Sequence, residues 1–320
     1  MRAVAFERGG APEVLTVVEL PEPTPGPGEI RVRVHGAGVN PADTLLRAEG
    51  SAVTAFPGPH VLGMDVAGVV DGIGPGTETS LSLGDRVMAV VLPVRPEGGG
   101  YAERVVVPAG WAVAVPEGIS PHEAATVPMN ALTVLSAFEA MDLAGGETAG
   151  VTGAAGAFGG AFVQLAAVRG IRTVADAAPK DDALLRELGA TWVVRRGADV
   201  AERMREVVPQ GVDALVDGAL LGPRVLPAVR DGGRYASLRK LGEAGTQLLP
   251  SPAPRGISYR TFGVHEWFGR ADLMDEIARA LAAGRLTPRV AEVVPPGEAA
   301  RAHATLEAGG VRGRFVLDFS

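Results

Sequence analysis

The run Val151-Thr152-Gly153-Ala154-Ala155-Gly156-Ala157-Phe158-Gly159 lies between an apolar strand-like segment, 147–152, and an apolar helix-like segment, 158–169. Residues this small allow a tight turn whose backbone N–H groups can approach a negatively charged group closely. The N-terminus of the helix adds a positive partial charge. Together these are the means of holding a pyrophosphate. Gly156 and Gly159 take the second and third glycine positions of a dinucleotide fingerprint, and Ala154 replaces the first. A ligand-free packing turn could use the same residues. The strand before and the helix after favour a dinucleotide site built from Gly153, Ala154, Ala155, Gly156, Ala157, Phe158 and Gly159.

Asp176 ends the next strand-like segment, 17 residues beyond Gly159. An acid there can bond the ribose 2′-hydroxyl of NAD(H) and would repel the 2′-phosphate of NADP(H). Lys180 and Arg172 lie close by in sequence and favour that phosphate instead, so the residues alone leave both nucleotides open. The chain has no cysteine, which removes disulfides, cysteine nucleophiles, thiolate zinc sites and iron–sulfur clusters. A net charge of −7 with no long basic run argues against a nucleic-acid partner. No stretch approaches the roughly 20 apolar residues needed to span a bilayer. The N-terminus has no signal-like apolar core, and a soluble cytoplasmic protein is expected.

The elements that must position these residues fall into two kinds. The first 120 residues read as short strands broken by glycine and proline. Ile30-Arg31-Val32-Arg33-Val34-His35 alternates with period two, and 61–71, 83–91 and 101–107 read as further strands. A compact barrel-like β domain is expected. Ser120-Pro121-His122-Glu123 looks like a helix start, and the helical pattern runs to about residue 141. Strand and helix then alternate: helices at 180–188, 200–207 and 223–229, strands at 171–175, 192–194, 212–217 and 233–238. That pattern predicts a parallel sheet covered on both faces. An amphipathic helix at 271–283, another at 298–308 and a last strand at 313–318 complete the chain.

The whole chain resembles the zinc-independent quinone oxidoreductases (zeta-crystallin-like) of the medium-chain dehydrogenase/reductase superfamily. The resemblance rests on ordered segments: Met1-Arg2-Ala3-Val4, Gly10-Ala11-Pro12-Glu13-Val14-Leu15, Gly38-Val39-Asn40-Pro41-Ala42-Asp43, Gly63-Met64-Asp65-Val66-Ala67-Gly68, Gly84-Asp85-Arg86-Val87, Gly100-Tyr101-Ala102-Glu103, the glycine turn, Glu187-Leu188-Gly189-Ala190 and Gly313-Arg314-Phe315-Val316-Leu317. Each is common alone, and their order together is specific. It implies an α/β protein: a GroES-like catalytic domain at 1–120 and 262–320, with a Rossmann domain at 121–261 inserted in it. It also implies hydride transfer from NADP(H) to a small-molecule quinone or activated C=C, and a homodimer.

Under that resemblance Asn40 and Asp43 match polar positions on the cleft floor, although an Asn-Pro-Ala-Asp stretch is also an ordinary turn and helix cap. Thr133 matches a threonine near the nicotinamide, and could equally bond its own helix. Asp217, Gly218 and Ala219 match a loop that passes close to the cofactor. Leu45 stands where the family often has tyrosine, a departure that touches the quinone pocket. Arg47 behind it and His265 in the aromatic segment 259–268 are further substrate-side candidates. Zinc-bearing relatives would have cysteine at Asn40, histidine at Met64 and cysteine near Met129. An amide and two thioethers are not zinc ligands, so no metal is expected. Two other functions stay open: an enoyl-thioester reductase working in trans in a biosynthetic pathway, and a non-catalytic nucleotide-binding sensor or crystallin-like protein.

Overall fold

The computed structural model describes residues 1–50, 56–239 and 247–320. The chain divides into two compact units. One comprises Met1–Met129, Phe268–Ala282 and Pro288–Ser320, and the other comprises Asn130–Trp267 and Ala283–Thr287. The stretch 121–129, which the sequence pattern groups with the second domain, belongs to the first unit. Residues 262–267 belong to the second.

The first unit opens with β1 (Arg2–Phe6), β2 (Thr16–Glu19), β3 (Glu29–Gly38), α1 (Pro41–Glu49), β4 (His60–Val61), β5 (Asp65–Ile73), β6 (Arg86–Val90), β7 (Arg104–Pro108), β8 (Ala112–Ala114) and α2 (Pro121–Ala124). The second unit carries α3 (Pro128–Ala140, begun in the first), β9 (Thr148–Thr152), α4 (Ala157–Val168), β10 (Arg172–Ala177), α5 (Asp182–Glu187), β11 (Trp192–Arg195), α6 (Val200–Val207), β12 (Val212–Asp217), β13 (Val229–Ser237) and β14 (Ser258–Arg260). The chain then returns to the first unit with α7 (Ala271–Ala282), β15 (Val290–Val294), α8 (Ala299–Ala308) and β16 (Arg314–Asp318).

In the first unit the larger sheet runs β15-β16-β3-β5-β6-β8, with β7 also paired to β3, and a small sheet runs β2-β1-β4. The period-two pattern of β3 explains its place at the centre. Ile30, Val32 and Val34 are fully buried in the core, while Arg31 points outward to an ion pair with Asp71 at 2.7 Å. The return of the C-terminal segment is written in the pairing of β16 with the far end of β3, Val316 opposite Gly38.

The second unit holds a six-stranded sheet in the order β11-β10-β9-β12-β13-β14, with every pairing parallel. The order reverses direction between β9 and β12, the kind of switch point at whose carboxyl ends open parallel sheets bind ligands. All five residues of β9 are buried, as a central parallel strand requires.

Three local readings change. The helix expected across 121–141 is broken into α2 and α3, because proline at 128 disfavours helix at the residue before it. The helix expected at 223–229 is a 3-10 helix, Gly222–Ala228, with Pro227 inside it, and Val229 already belongs to β13. The helix expected at 180–188 begins as a 3-10 turn, Pro179–Asp181, before α5. Strand β14 overlaps the start of the aromatic segment and carries no alternation that the sequence could reveal.

Candidate active site

The glycine turn leaves β9 and enters α4 at Ala157, with Gly156 as the N-cap. Gly153 has φ +68°, a conformation that disfavours other side chains. At Gly159 the reason for glycine is contact: an added Cβ would lie 2.4 Å from the Ala154 Cα and 2.6 Å from the Gly153 carbonyl oxygen. The helix therefore seats directly on the turn. Gly156, Ala157 and Phe158 stay partly exposed at its mouth. The first N–H groups of a helix have no partner within it, so this mouth presents donors and a positive dipole end to an anion. The cradle fits a pyrophosphate.

Asp176 contacts the glycine turn itself. Its side chain is buried, and Oδ1 accepts the Ala154 N–H at 3.0 Å. Burial raises its pKa, against the lowering effect of the Ala154 and Gly153 N–H groups and of the Arg196 charge. The acid braces the turn from below. Lys180, on the 3-10 turn after β10, is exposed.

Asp217 likewise has no free edge for a ligand. It is fully buried at the end of β12. Oδ1 accepts the Thr152 hydroxyl at 2.5 Å, and Oδ2 accepts the Tyr235 hydroxyl at 2.9 Å and the Gly222 N–H at 2.7 Å. Thr152 Oγ1 in turn accepts the Ala219 N–H at 3.1 Å. The carboxylate thus ties β9, β12 and β13 to the 218–222 loop. That loop forms the other wall of the glycine turn: a Cβ on Gly153 would lie 3.4 Å from Ala219 N. Asp217 is a positioning residue, and Gly218 and Ala219 are the part of the loop at the surface. Tyr235→Phe should cost about 1–2 kcal/mol in urea unfolding, by removing one donor from a buried carboxylate. Unchanged stability would show that the hydroxyl carries no share of the network.

Thr133 is half-buried on α3. His265 is exposed on a 3-10 helix, Val264–Trp267, of the second unit.

In the first unit the expected polar residues meet, but inside the protein. Asn40 precedes α1, and its N–H donates to Asp43 Oδ2 at 2.8 Å. Asp43 Oδ1 accepts the Gly63 N–H at 3.0 Å, and its Oδ2 also accepts the Tyr101 hydroxyl at 3.2 Å. Asn40 Nδ2 donates to Asp65 Oδ2 at 2.9 Å. Asp65 also holds Arg314 Nη2 at 2.8 Å and the Met129 N–H at 2.5 Å. Asp43, Asp65 and Tyr101 are fully buried, and Asn40 is 3% exposed. Asn40 and Asp43 are therefore internal groups and not surface contacts. Gly63 is required by this packing, since at φ +102° a Cβ would meet the Tyr101 ring at 2.5 Å.

One substrate-side expectation changes as well. Arg47 faces neither a cleft nor solvent. It is buried and pairs with Glu307 on α8. Leu45 is half-buried on α1.

Burial raises the Asp43 carboxyl to about 6, over the lowering effect of the Asn40 and Gly63 N–H groups and Arg314. A native carboxyl that holds its proton more tightly than the unfolded one loses stability as pH rises. The loss runs from about pH 4 to pH 6 and amounts to about 3 kcal/mol. His303, lowered to about 3 by burial and then by Arg47, works in the opposite sense: its stability is lost as pH falls from 6.5 toward 3. Removing the first contribution alone should unmask the second. Asp43→Asn should therefore gain stability more steeply between pH 4 and 6 than the unmodified chain, whatever its absolute stability. Parallel urea-unfolding profiles for the two would refute the assignment.

Residues 26–117 match the alcohol dehydrogenase GroES-like domain model, and residues 188–317 match the zinc-binding dehydrogenase model. The dehydrogenase azaJ of Aspergillus niger is 30% identical over 269 residues, covering 78% of this chain and 76% of that one. The chain belongs to the medium-chain dehydrogenase/reductase superfamily. It is an oxidoreductase of that superfamily, similar to the quinone oxidoreductases. The quinone oxidoreductase of Sus scrofa is 26% identical, covering 99% of this chain and 97% of the relative. The polyketide synthase GfsB of Streptomyces halstedii is 31% identical over 270 residues, but the match spans only 4% of that much longer protein. Among solved structures, an NAD-dependent alcohol dehydrogenase superposes with a TM-score of 0.86 at 30% identity, covering 99% of both chains. A mycobacterial protein solved with NADPH superposes with a TM-score of 0.84 at 28% identity, covering 99% of this chain and 100% of the other. The α/β architecture with a GroES-like domain and a Rossmann-like parallel sheet is shared by these relatives.

This superfamily member does not fit the zinc that one matching model's name implies. The chain has no cysteine. The Asn40 amide is tied to Asp65, and Met64 and Met129 offer thioethers. Among the described residues no group of three or more His, Cys, Asp and Glu side chains could hold a metal ion, and no helix is long and apolar enough to cross a membrane.

Proposed function

We propose that the chain is an NAD(P)H-dependent, zinc-independent reductase that transfers hydride to a quinone or to an activated C=C of an enone or enal. The observation that carries this reading is the cradle at the head of α4, where glycine is required by contact at Gly159 and the helix mouth faces outward. The bound nicotinamide would supply the hydride. The protein's own part is to hold the nucleotide by the 153–159 turn and the Gly218-Ala219 wall. A small-molecule substrate and a homodimer belong to the same reading, and sedimentation tests the dimer.

NADP(H) is the favoured nucleotide. Asp176 is held by the Ala154 N–H, and Lys180 is exposed beyond β10 as a cation for a 2′-phosphate. Lys180→Ala should weaken NADPH about tenfold and leave NADH unchanged, as the loss of one charge-assisted contact requires. Asp176→Ser should weaken both nucleotides alike. A switch of preference from NADH to NADPH on Asp176→Ser would restore the ribose contact and refute this assignment.

Oxidation of NADPH and NADH with quinones, enones and 2-alkenals tests the activity. No turnover across the panel together with no nucleotide binding would sink it. A second reading is favoured by the match to polyketide synthase sequence: reduction of an enoyl thioester presented in trans. Turnover of a crotonyl thioester in preference to the free enones and quinones would select it.

A further inference from the structure

The carboxyl ends of β9, β10 and β11 lie side by side in one parallel sheet. β9 delivers the glycine turn to this edge. β10 delivers Asp176, which holds that turn through the Ala154 N–H. β11 delivers two arginines, Arg195 and Arg196, and the register tells them apart. Asp176 pairs with Val194, and Ala177 pairs with Arg195. Arg196 continues the ladder just past the strand, with its N–H on the Ala177 carbonyl oxygen at 2.8 Å. Side chains alternate between the two faces of a sheet, and registered neighbours share a face. Arg196 therefore rises on the face of Asp176, and Arg195 on the opposite one. The Arg196 charge acts on the Asp176 carboxyl, as that placement requires.

The Arg196 backbone is fixed on both sides. Arg203 on α6 donates from Nη1 to the Arg195 carbonyl oxygen at 2.9 Å, and the Gly197 carbonyl oxygen accepts the Val200 N–H at 3.3 Å. The Arg196 side chain is exposed. The acids that follow β10 and β11 do not compete for it. Asp181 is buried, Asp182 pairs with Arg186 at 2.7 Å, and Asp199 pairs with Arg203 at 2.5 Å. Lys180 stands on the 3-10 turn that follows β10. This edge thus carries two exposed cations beyond Ala177, in a chain of net charge −7. Arg172 is not among them. It begins β10 opposite Thr148 and donates to the Gly146 carbonyl oxygen at 3.0 Å, at the other end of the sheet.

We infer that Arg196 is the residue that makes the site select NADP(H), its guanidinium taking the 2′-phosphate with Lys180 as the second cation. A guanidinium is a planar fork of donors that matches two oxygens of a phosphate, and the 2′-hydroxyl of NAD(H) offers it no charge. The pinned backbone lowers the cost of ordering the side chain on a ligand. The inference rests on the nucleotide-binding reading given above and names the residue that sets its preference.

Nucleotide titration tests it, with 2′,5′-ADP and 5′-AMP as probes of the adenosine end alone. Arg196→Gln should weaken NADPH and 2′,5′-ADP about tenfold or more, and leave NADH and 5′-AMP within about twofold. Arg196→Lys should recover part of the loss. Arg195→Gln removes the same charge from the other face and should leave NADPH within about twofold of the unmodified chain. Undiminished NADPH binding by Arg196→Gln, or an equal loss from Arg195→Gln, would overturn the inference. Equal weakening of NADH and NADPH by Arg196→Gln would make the residue a structural one and overturn it too. If the unmodified chain binds NADH and not NADPH, this inference alone falls. If it binds neither, the nucleotide-binding reading falls with it.

Discussion

Asp65→Ala should lose about 3–5 kcal/mol of folding stability, a large part of what a chain of this kind has in reserve. Asp65 is fully buried and serves three donors: the Met129 N–H, Asn40 Nδ2 and Arg314 Nη2. Arg314 is itself 3% exposed, with Nε on the Val39 carbonyl at 2.9 Å. Removing the carboxylate leaves a guanidinium inside the protein without its ion-pair partner. The same loss frees the Asn40 side chain that α1 starts from. The double variant Asp65→Ala with Arg314→Met should recover part of the stability, because it removes the stranded charge as well. Urea unfolding of the four members of this cycle checks it. A single-variant loss under about 1 kcal/mol, the range of an exposed pair, would mean that the pair is not holding β5, β16 and α1 together.

The second large effect belongs to the glycine turn, and two substitutions separate its two tasks. Gly159→Ala drives a Cβ to 2.4 Å from the Ala154 Cα, so the turn and α4 cannot keep their packing. Both nucleotide affinity and stability should fall, affinity by about a hundredfold or more, which corresponds to roughly 3 kcal/mol. Gly156 has φ −70°, and an added Cβ would meet the Gly153 carbonyl oxygen at 3.1 Å, a contact that small shifts relieve. Gly156→Ala should keep most of the stability. It should still weaken NADPH about tenfold, by standing between the backbone and the pyrophosphate. Thermal melting with and without NADPH, together with nucleotide titration, reads both. A Gly156→Ala protein that binds NADPH as well as the unmodified chain would remove the turn from the binding site.

Much of this architecture was legible in local pattern. The alternation of Ile30, Val32 and Val34 put β3 in a half-buried sheet, because side chains on a strand repeat every two residues. The turn between β9 and α4 was legible because its small residues act on their own neighbours. Where a local rule competed with another, the reading slipped. Pro128 divided a helix that apolar spacing ran together, and Pro227 left only a 3-10 turn where the pattern suggested a full helix. The strand β14 depends on pairing with β13, which no local feature announces.

The roles of the polar residues were a different matter. Asn40, Asp43, Asp176, Asp217 and Arg47 were singled out by type and position, yet each turns inward. The signals for their partners were present as short segments, Gly63-Met64-Asp65, Gly100-Tyr101 and Gly313-Arg314, but nothing in those segments says what they touch. Arg314 meets Asp65 across 249 positions of the chain, and His303 meets Tyr101 across 202.

The sequence alone therefore determined the period of each element and the chemistry of the turn, since both depend on residues within a few positions of one another. Only the tertiary structure decided which carboxylates face solvent and which are sealed inside. That depends on chain closure between β3, β5 and β16 and among β9, β12 and β13, where burial removes water and each acid must bond whatever donor the distant strand or loop brings to it.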